Sequence, residues 1–427
     1  MAGLDLDIDV AVVGAGMAGL QAARALTRAG LEVRVLESAD AVGGRIRTDV
    51  VDGFLVDRGF QLLNPGYPAV KRSVDVAALQ LQSFPAGVAA LLDDGLQELG
   101  HPLREPRLAP TTLRSVITRP REGVAMARWL APLARASVGR GRLATRLPRS
   151  FDGSLRQSLD RVGMDGELRT VLERFLAGVL LEDDQSTSAA YALVLTRAFA
   201  TGVPGLPAAG MQALPEQLAA SLTGRISLGR EVESLAGSSG DYTLSVSGER
   251  LRARHVVVAT AAPEAARLTQ AYTPVMKGVV THWFATDELP THRGLLHVDA
   301  RTRASGPVLN TAVVSTAAPS YAPAGLHLVQ ASALMHPGTP APTEEQIARH
   351  AGELLGSATT RWRSIARQEI PHALPVQLAP FSERRPVVID RGIVMCGDHR
   401  DTGSIQGAMV SGERAARAVL ASRLVDR

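Results

Sequence analysis

The chain has 427 residues, 45% of them apolar and 21% charged, a mix that can bury a large core and excludes wholesale disorder. The net charge of +4 is dispersed, with no polybasic tail or aromatic-interleaved basic patch, which argues against nucleic-acid binding. No apolar run reaches the roughly eighteen residues of a spanning helix, Asp5, Asp7 and Asp9 stand where a secretory signal would be basic and then apolar, and Cys396 is the only cysteine, so the expectation is a cytoplasmic protein with no disulfide, zinc–thiolate or dithiol centre.

In chain order, residues 8–13 (Ile-Asp-Val-Ala-Val-Val) read as a buried parallel strand. Residues 17–29 repeat apolar side chains at helical spacing before Gly30, and 31–36 alternate as a second strand. From about 75 to 200 the pattern reads as mainly helical, cut by prolines such as Pro85, Pro102, Pro120 and Pro132. Capped helices are expected over 154–162, over 165–181 starting at Asp165, and over 186–200. The glycine and proline cluster at 202–207 marks a crossing between domains. Period-two patterns then return over 225–260, with further strands over 275–335 and a helix over 343–356. The chain closes with an apolar strand at 392–396, a Gly397-Asp398 turn and a helix over 407–422.

Gly14-Ala15-Gly16-Met17-Ala18-Gly19 follows a strand and opens a helix, the context in which this spacing binds a dinucleotide. The first glycine permits a tight turn, the second lets main chain approach a pyrophosphate, and the third lets helix and strand pack closely. The helix N-terminus at Met17 and Ala18 would face the phosphates. Glu37, with Ser38 beside it, ends the second strand where an acid accepts from ribose hydroxyls. An acid there disfavours a 2′-phosphate but does not separate NAD from FAD.

The next segment does separate them. Val42-Gly43-Gly44-Arg45-Ile46-Arg47-Thr48 resembles the second glycine motif of the flavin-containing amine oxidase superfamily, which includes monoamine oxidases, protoporphyrinogen oxidases and phytoene desaturases. The resemblance implies that Gly43, Gly44 and Arg45 lie beside the FAD pyrophosphate. It implies that 53–59 lead the chain past the flavin ring towards Phe60 and Gln61, and that Val232 touches the adenine through its main chain. Ala259 and Thr260 end a strand similar to the one beneath the cofactor. Cys396-Gly397-Asp398 and the helix after it resemble the C-terminal FAD motif, with Asp398 on the ribitol chain. Main-chain NH groups at Ser404, Ile405 and Ala408 would then stabilise the reduced flavin at its pyrimidine end.

The implied fold is α/β, with a discontinuous Rossmann-like (GR2-type) FAD-binding domain from 1–72, 205–270 and 385–427. A mixed α+β substrate domain would come from 73–204 and 271–384. No second glycine fingerprint follows a strand, so FAD alone, non-covalently held, is expected.

Lys277 is the catalytic candidate, because 275–280 resemble the family segment whose lysine reaches flavin N5 through water, and only Lys71 is another lysine in this arginine-rich chain. The aromatic pair that commonly precedes the last helix of amine oxidases is missing: Gly403 and Ser404 stand there, and any cage would need residues such as Tyr67, Trp283 or Tyr321. His399 can either touch the flavin or be held locally, Cys396 reads as a buried hydrophobe, and His292 and His297 lack metal-ligand companions, so no metal is expected.

Arg121, Arg128, Arg135 and Arg142 recur every seven residues beside apolar positions. They read either as a peripheral membrane face or, since Arg107, Arg114, Arg149 and Arg156 continue the spacing across prolines, as chance. The expected activity is hydride transfer from a substrate C–H to flavin N5, oxidising C–N or C–C in an amine or apolar substrate, with oxygen or another acceptor taking the electrons. Redox-neutral isomerisation of a lipophile and a non-catalytic flavin-binding role are the alternatives.

Overall fold

The computed structural model describes residues 8–136 and 152–425. Its first sheet centres on Ile8–Val13, which pairs in parallel with Val33–Leu36 on one side and Glu249–Val258 on the other. Val10, Ala11 and Val12 are wholly buried, as an unbroken apolar run must be when both faces of a parallel strand are covered. Val394–Met395 adds in parallel to the far end of Glu249–Val258, while Val232–Ser238 and Asp241–Val246 extend the sheet as antiparallel strands. The helix Met17–Arg28 covers one face through Leu20, Ala23 and Leu26, and the last helix, Ile405–Val425, packs against it. A Cβ at Gly412 would lie 2.3 Å from the carbonyl oxygen of Ala18, so glycine sets that close crossing.

The second sheet runs in the order Arg363–Pro375, Met276–Thr286, His327–Met335, Val308–Val313, Leu296–Asp299, Gly87–Leu92 and Gly95–Gly100. The helix Glu344–Leu355, opened by a reciprocal Thr343–Gln346 capping box, seals one face through Ile347, Ala351 and Leu354. Among the described residues, five helices from Ala109–Thr118 to Ala189–Thr201 form a cap, four of them packed round Trp129, Leu155, Leu159 and Leu193. A buried clasp ties the small hairpin of Thr48–Val51 and Phe54–Asp57 to the segment before the helix Ala213–Ala219 and to the turn Pro319–Tyr321. Asp57, 1% exposed, accepts from Thr48 Oγ1 at 2.5 Å, Met211 N–H at 3.0 Å and Tyr321 O–H at 2.9 Å.

The structure departs from expectation in four places. Gly87–Leu92 and Gly95–Gly100 form a hairpin inside the stretch read as helical. Alanine and leucine suit either state, and what decides is the Asp93-Asp94-Gly95 turn, with Gly95 at φ +127, and the sheet edge that accepts the hairpin. Arg363–Pro375 forms a strand that the sequence did not announce. The helix Glu167–Leu180 is preceded by Gly166, not capped by Asp165. Pro132, read as a cut, lies inside the helix Pro120–Ala136; Arg114, on the preceding helix Ala109–Thr118, and Arg121 and Arg128 are exposed beside Ile117 and Val124, whereas Arg142 and Arg149 lie outside the described residues. Among the described residues no helix is long and apolar enough to cross a membrane.

Candidate functional site

The parallel strands of the first sheet all point their C-terminal ends at one cavity of about 1150 Å3, the place where open α/β sheets bind ligands. Gly14 turns the chain there at φ +103, and a side chain would strike Ala259 O at 3.0 Å. Gly16 is different: nothing lies within 4 Å of its missing Cβ, which points into open space. Gly43 N–H donates to Ala15 O at 2.9 Å, bringing the second glycine segment directly beside the first. Main-chain N–H groups at Met17 and Ala18 open the helix and have no carbonyl one turn back, so they carry its positive end into the cavity.

Glu37 is 8% exposed; its Oε2 accepts from Ala15 N–H at 2.7 Å and its Oε1 from Ala39 N–H at 2.9 Å. Oε1 also accepts from the Ser38 hydroxyl at 3.5 Å, whereas Oε2 keeps a second lone pair for a ligand. Thr260 Oγ1, also on the wall, is buried without a protein partner. Narrow glycine surfaces, a positive helix end, a half-used carboxylate and an orphan hydroxyl fit a dinucleotide diphosphate with its ribose.

Of the cofactor-binding residues expected from sequence, all line this cavity except Gly19, which packs behind it: a Cβ there would lie 2.0 Å from Gly14 O. Met17, Ala18, Ser38, Gly44, Val232 and Ala259 join the cradle, and Phe60, Gln61, Gly397, Ser404, Ile405 and Ala408 lie on the wall further along. Arg45 and Asp398, 353 positions apart, meet in an ion pair at 2.7 Å, and Arg45 also donates to Ala373 O. Gln61 Nε2 donates to Arg45 O at 2.9 Å, so the Phe60–Gln61 segment is tied to the same point. Ser404 Oγ accepts from Gly407 N–H at 3.1 Å, steadying the start of the last helix.

Beyond that pair the cavity widens into a chamber walled by Trp129, Leu130, Leu172, Phe175 and Phe199 from the helical cap and by Val279, Thr281, Asn310 and Ser332 from the second sheet. The sequence did not single out this floor. Thr281 Oγ1 and Ser332 Oγ lie 2.9 Å apart, Ser332 Oγ donates to Gln330 Oε1 at 3.2 Å, and Gln330 Nε2 donates to Asn310 Oδ1 at 3.1 Å. The only signal was a few polar residues inside otherwise apolar strands, such as Asn310 and Thr311 in Val308–Val313 and Gln330 and Ser332 in His327–Met335.

Lys277 does not line the cavity. Its ammonium donates to Glu182, to Leu180 O at 3.1 Å and to Thr187 Oγ1 at 3.1 Å, because the end of the helix Glu167–Leu180 lies over the start of its strand and presents those acceptors. The expected reach to a flavin through water is not among these contacts, in which the residue pins an element. His399 is buried off the wall, and burial pushes its imidazole down to about 4, so it stands neutral. Cys396 is buried too, its thiol pushed up to about 12. Tyr67 lines the cavity, but Trp283 donates to Gln368 and Tyr321 to Asp57, both away from it.

Fold and cavity together define a dinucleotide-binding α/β protein with a substrate-sized chamber beyond its cradle. More narrowly, the chain belongs to the flavin containing amine oxidoreductase family, whose model it matches over residues 17–420, and the family's cofactor is a flavin. It is 45% identical over 75 residues to the putrescine oxidase of Kocuria rosea, covering 18% of this chain and 16% of that protein. It is 51% identical over 55 residues to polyamine oxidase 4 of Oryza sativa subsp. japonica, covering 13% and 11%. These matches thus span under a fifth of either relative. Putrescine oxidase bound to putrescine superposes with TM-score 0.71 at 21% identity, over 98% of this chain and 100% of that one. A fatty acid isomerase from P. acnes does so with TM-score 0.70 at 17% identity, over 96% and 98%. At such identities the shared property is the fold.

Proposed function

We propose that this protein is an FAD-dependent oxidoreductase that holds FAD non-covalently in the glycine cradle and oxidises a substrate carbon in the chamber. The observation that carries the reading is the continuity of one cavity, with a diphosphate cradle at one end and an apolar chamber at the other. Bound FAD supplies a two-electron acceptor at N5. Glu37 accepts the ribose hydroxyls, the N–H groups at the start of Met17–Arg28 hold the diphosphate, and the Arg45–Asp398 pair marks the ribitol segment. The first turn of Ile405–Val425 sets positive main-chain dipole at the pyrimidine end. The chamber walls orient the substrate and exclude water.

Oxidation would pass a hydride from one carbon to the flavin and release a proton from the neighbouring atom to solvent, leaving C=N or C=C, with both electrons then passing on to oxygen or another acceptor. Anaerobic mixing of the FAD-loaded protein with amines and with unsaturated lipophiles tests the reading. Loss of the visible flavin band with one of them is expected. A band that no member of either class diminishes, in protein that does reoxidise after chemical reduction, contradicts it.

A further inference from the structure

The side of the chamber facing away from the cradle carries a second message, which rests on the FAD reading above. We infer that the chamber takes an uncharged, largely apolar molecule and rejects the di- and polyammonium compounds after which the putrescine and polyamine oxidases are named.

Among the described residues, the carboxylate, lysine and arginine side chains of the cavity fall in two places. Glu37, Arg230, Glu231 and Glu264 stand at the cradle end, and Arg45 and Asp398 neutralise one another at the middle. Beyond them, among the described residues, the lining contains no Asp, Glu, Lys or Arg. Residues 137–151, which fall between two cap helices in the sequence and lie outside the described residues, contain no Asp or Glu, and the undescribed acids are Asp5, Asp7 and Asp426 near the chain ends. Among the described residues His101 is the one basic side chain there, and burial pushes the Tyr67 phenol up to about 12, so it is neutral.

Carboxylates just behind the walls are already engaged. Glu105 accepts from Ala86 N–H at 2.9 Å, Glu122 from Leu168 N–H at 2.7 Å, and Glu182 from Lys277 and Thr187. An ammonium entering this chamber would lose its hydration and find no counter-charge, which apolar contacts do not offset. The floor is polar but neutral: the hydroxyls of Thr281 and Ser332 and the amide of Asn310 can meet a substrate hydroxyl or carbonyl. Aromatic and aliphatic walls supply the rest, the usual composition of a site for an apolar ligand.

The test titrates the purified protein with oleyl alcohol in dilute detergent and, separately, with putrescine and spermidine. Binding is read twice, by perturbation of the visible flavin spectrum and by fluorescence of Trp129, using Trp129→Phe to identify its signal. The second readout does not need FAD, so a failure of the cofactor reading shows as a colourless protein and leaves this question answerable. Saturable binding of the alcohol, with an affinity at least tenfold above that for either amine, is expected. Asn310→Asp, isosteric but charged, should raise putrescine affinity tenfold or more and weaken the alcohol; Leu172→Glu, on the opposite wall, should act the same way if the first variant does not fold. Saturable putrescine binding to the unaltered protein, or no response to the alcohol, overturns the inference.

Discussion

At the scale of single residues, Gly16 separates cofactor binding from folding. Its φ of −73 suits any L-residue and its missing Cβ meets nothing, so Gly16→Val should fold with an unchanged unfolding midpoint while filling the diphosphate cradle. At least a tenfold loss of FAD affinity is expected by equilibrium titration of the apoprotein; retained affinity would move the diphosphate elsewhere. Asp57 gives a pH signature. Burial outweighs its three donors and pushes the carboxyl up to about 6. An acid raised in the folded state contributes stability that is full below its unfolded pKa of about 4 and is lost as pH climbs through 6, a swing of about 3 kcal/mol. Denaturant unfolding of Asp57→Asn against the parent, from about pH 4 to 8, should show the difference between them changing in that direction; a constant difference would mean that the three donors keep the carboxylate ionised. The glycines and Glu37 were legible because their roles are local to one turn. The Arg45–Asp398 pair was not, since 353 positions separate its halves and each was read against the cofactor alone.

At the scale of elements, Lys277 and Glu182 fasten the helix Glu167–Leu180 to the strand Met276–Thr286, with side chains 12% and 6% exposed. Removing one partner of such a buried pair leaves the other uncompensated, at about 3 kcal/mol or more. Lys277→Met should therefore lower stability while the folded fraction retains its rate of flavin reduction, and Lys277→Met with Glu182→Leu should recover much of the loss. A severalfold slower reduction in fully folded Lys277→Met would restore the lysine to the chemistry. The lysine was singled out by rarity and by its resemblance to a neighbouring strand position, neither of which says which acceptors lie nearby. The opening β-loop-α-β unit was legible from apolar periodicity, because its strand is buried on both faces. The hairpin over 87–100 was not, because its strand state comes from an edge supplied more than 190 positions later, at Leu296–Asp299.

At the scale of the whole molecule, the cavity exists because two sheets from interleaved stretches of chain meet where the parallel strands end, with a helical cap over the remaining side. The cradle half follows from short motifs, while the chamber half is assembled from scattered positions on the cap and the second sheet, so its chemistry emerges only on folding. The central claim is that the cradle holds FAD by contacts alone. The measurement that addresses it most directly is the visible spectrum of the purified protein, followed by mass analysis of what heat denaturation releases. A yellow protein that releases intact FAD into the supernatant is the predicted result. A colourless protein that FAD fails to reconstitute, or a flavin that stays attached to the denatured chain, would contradict it.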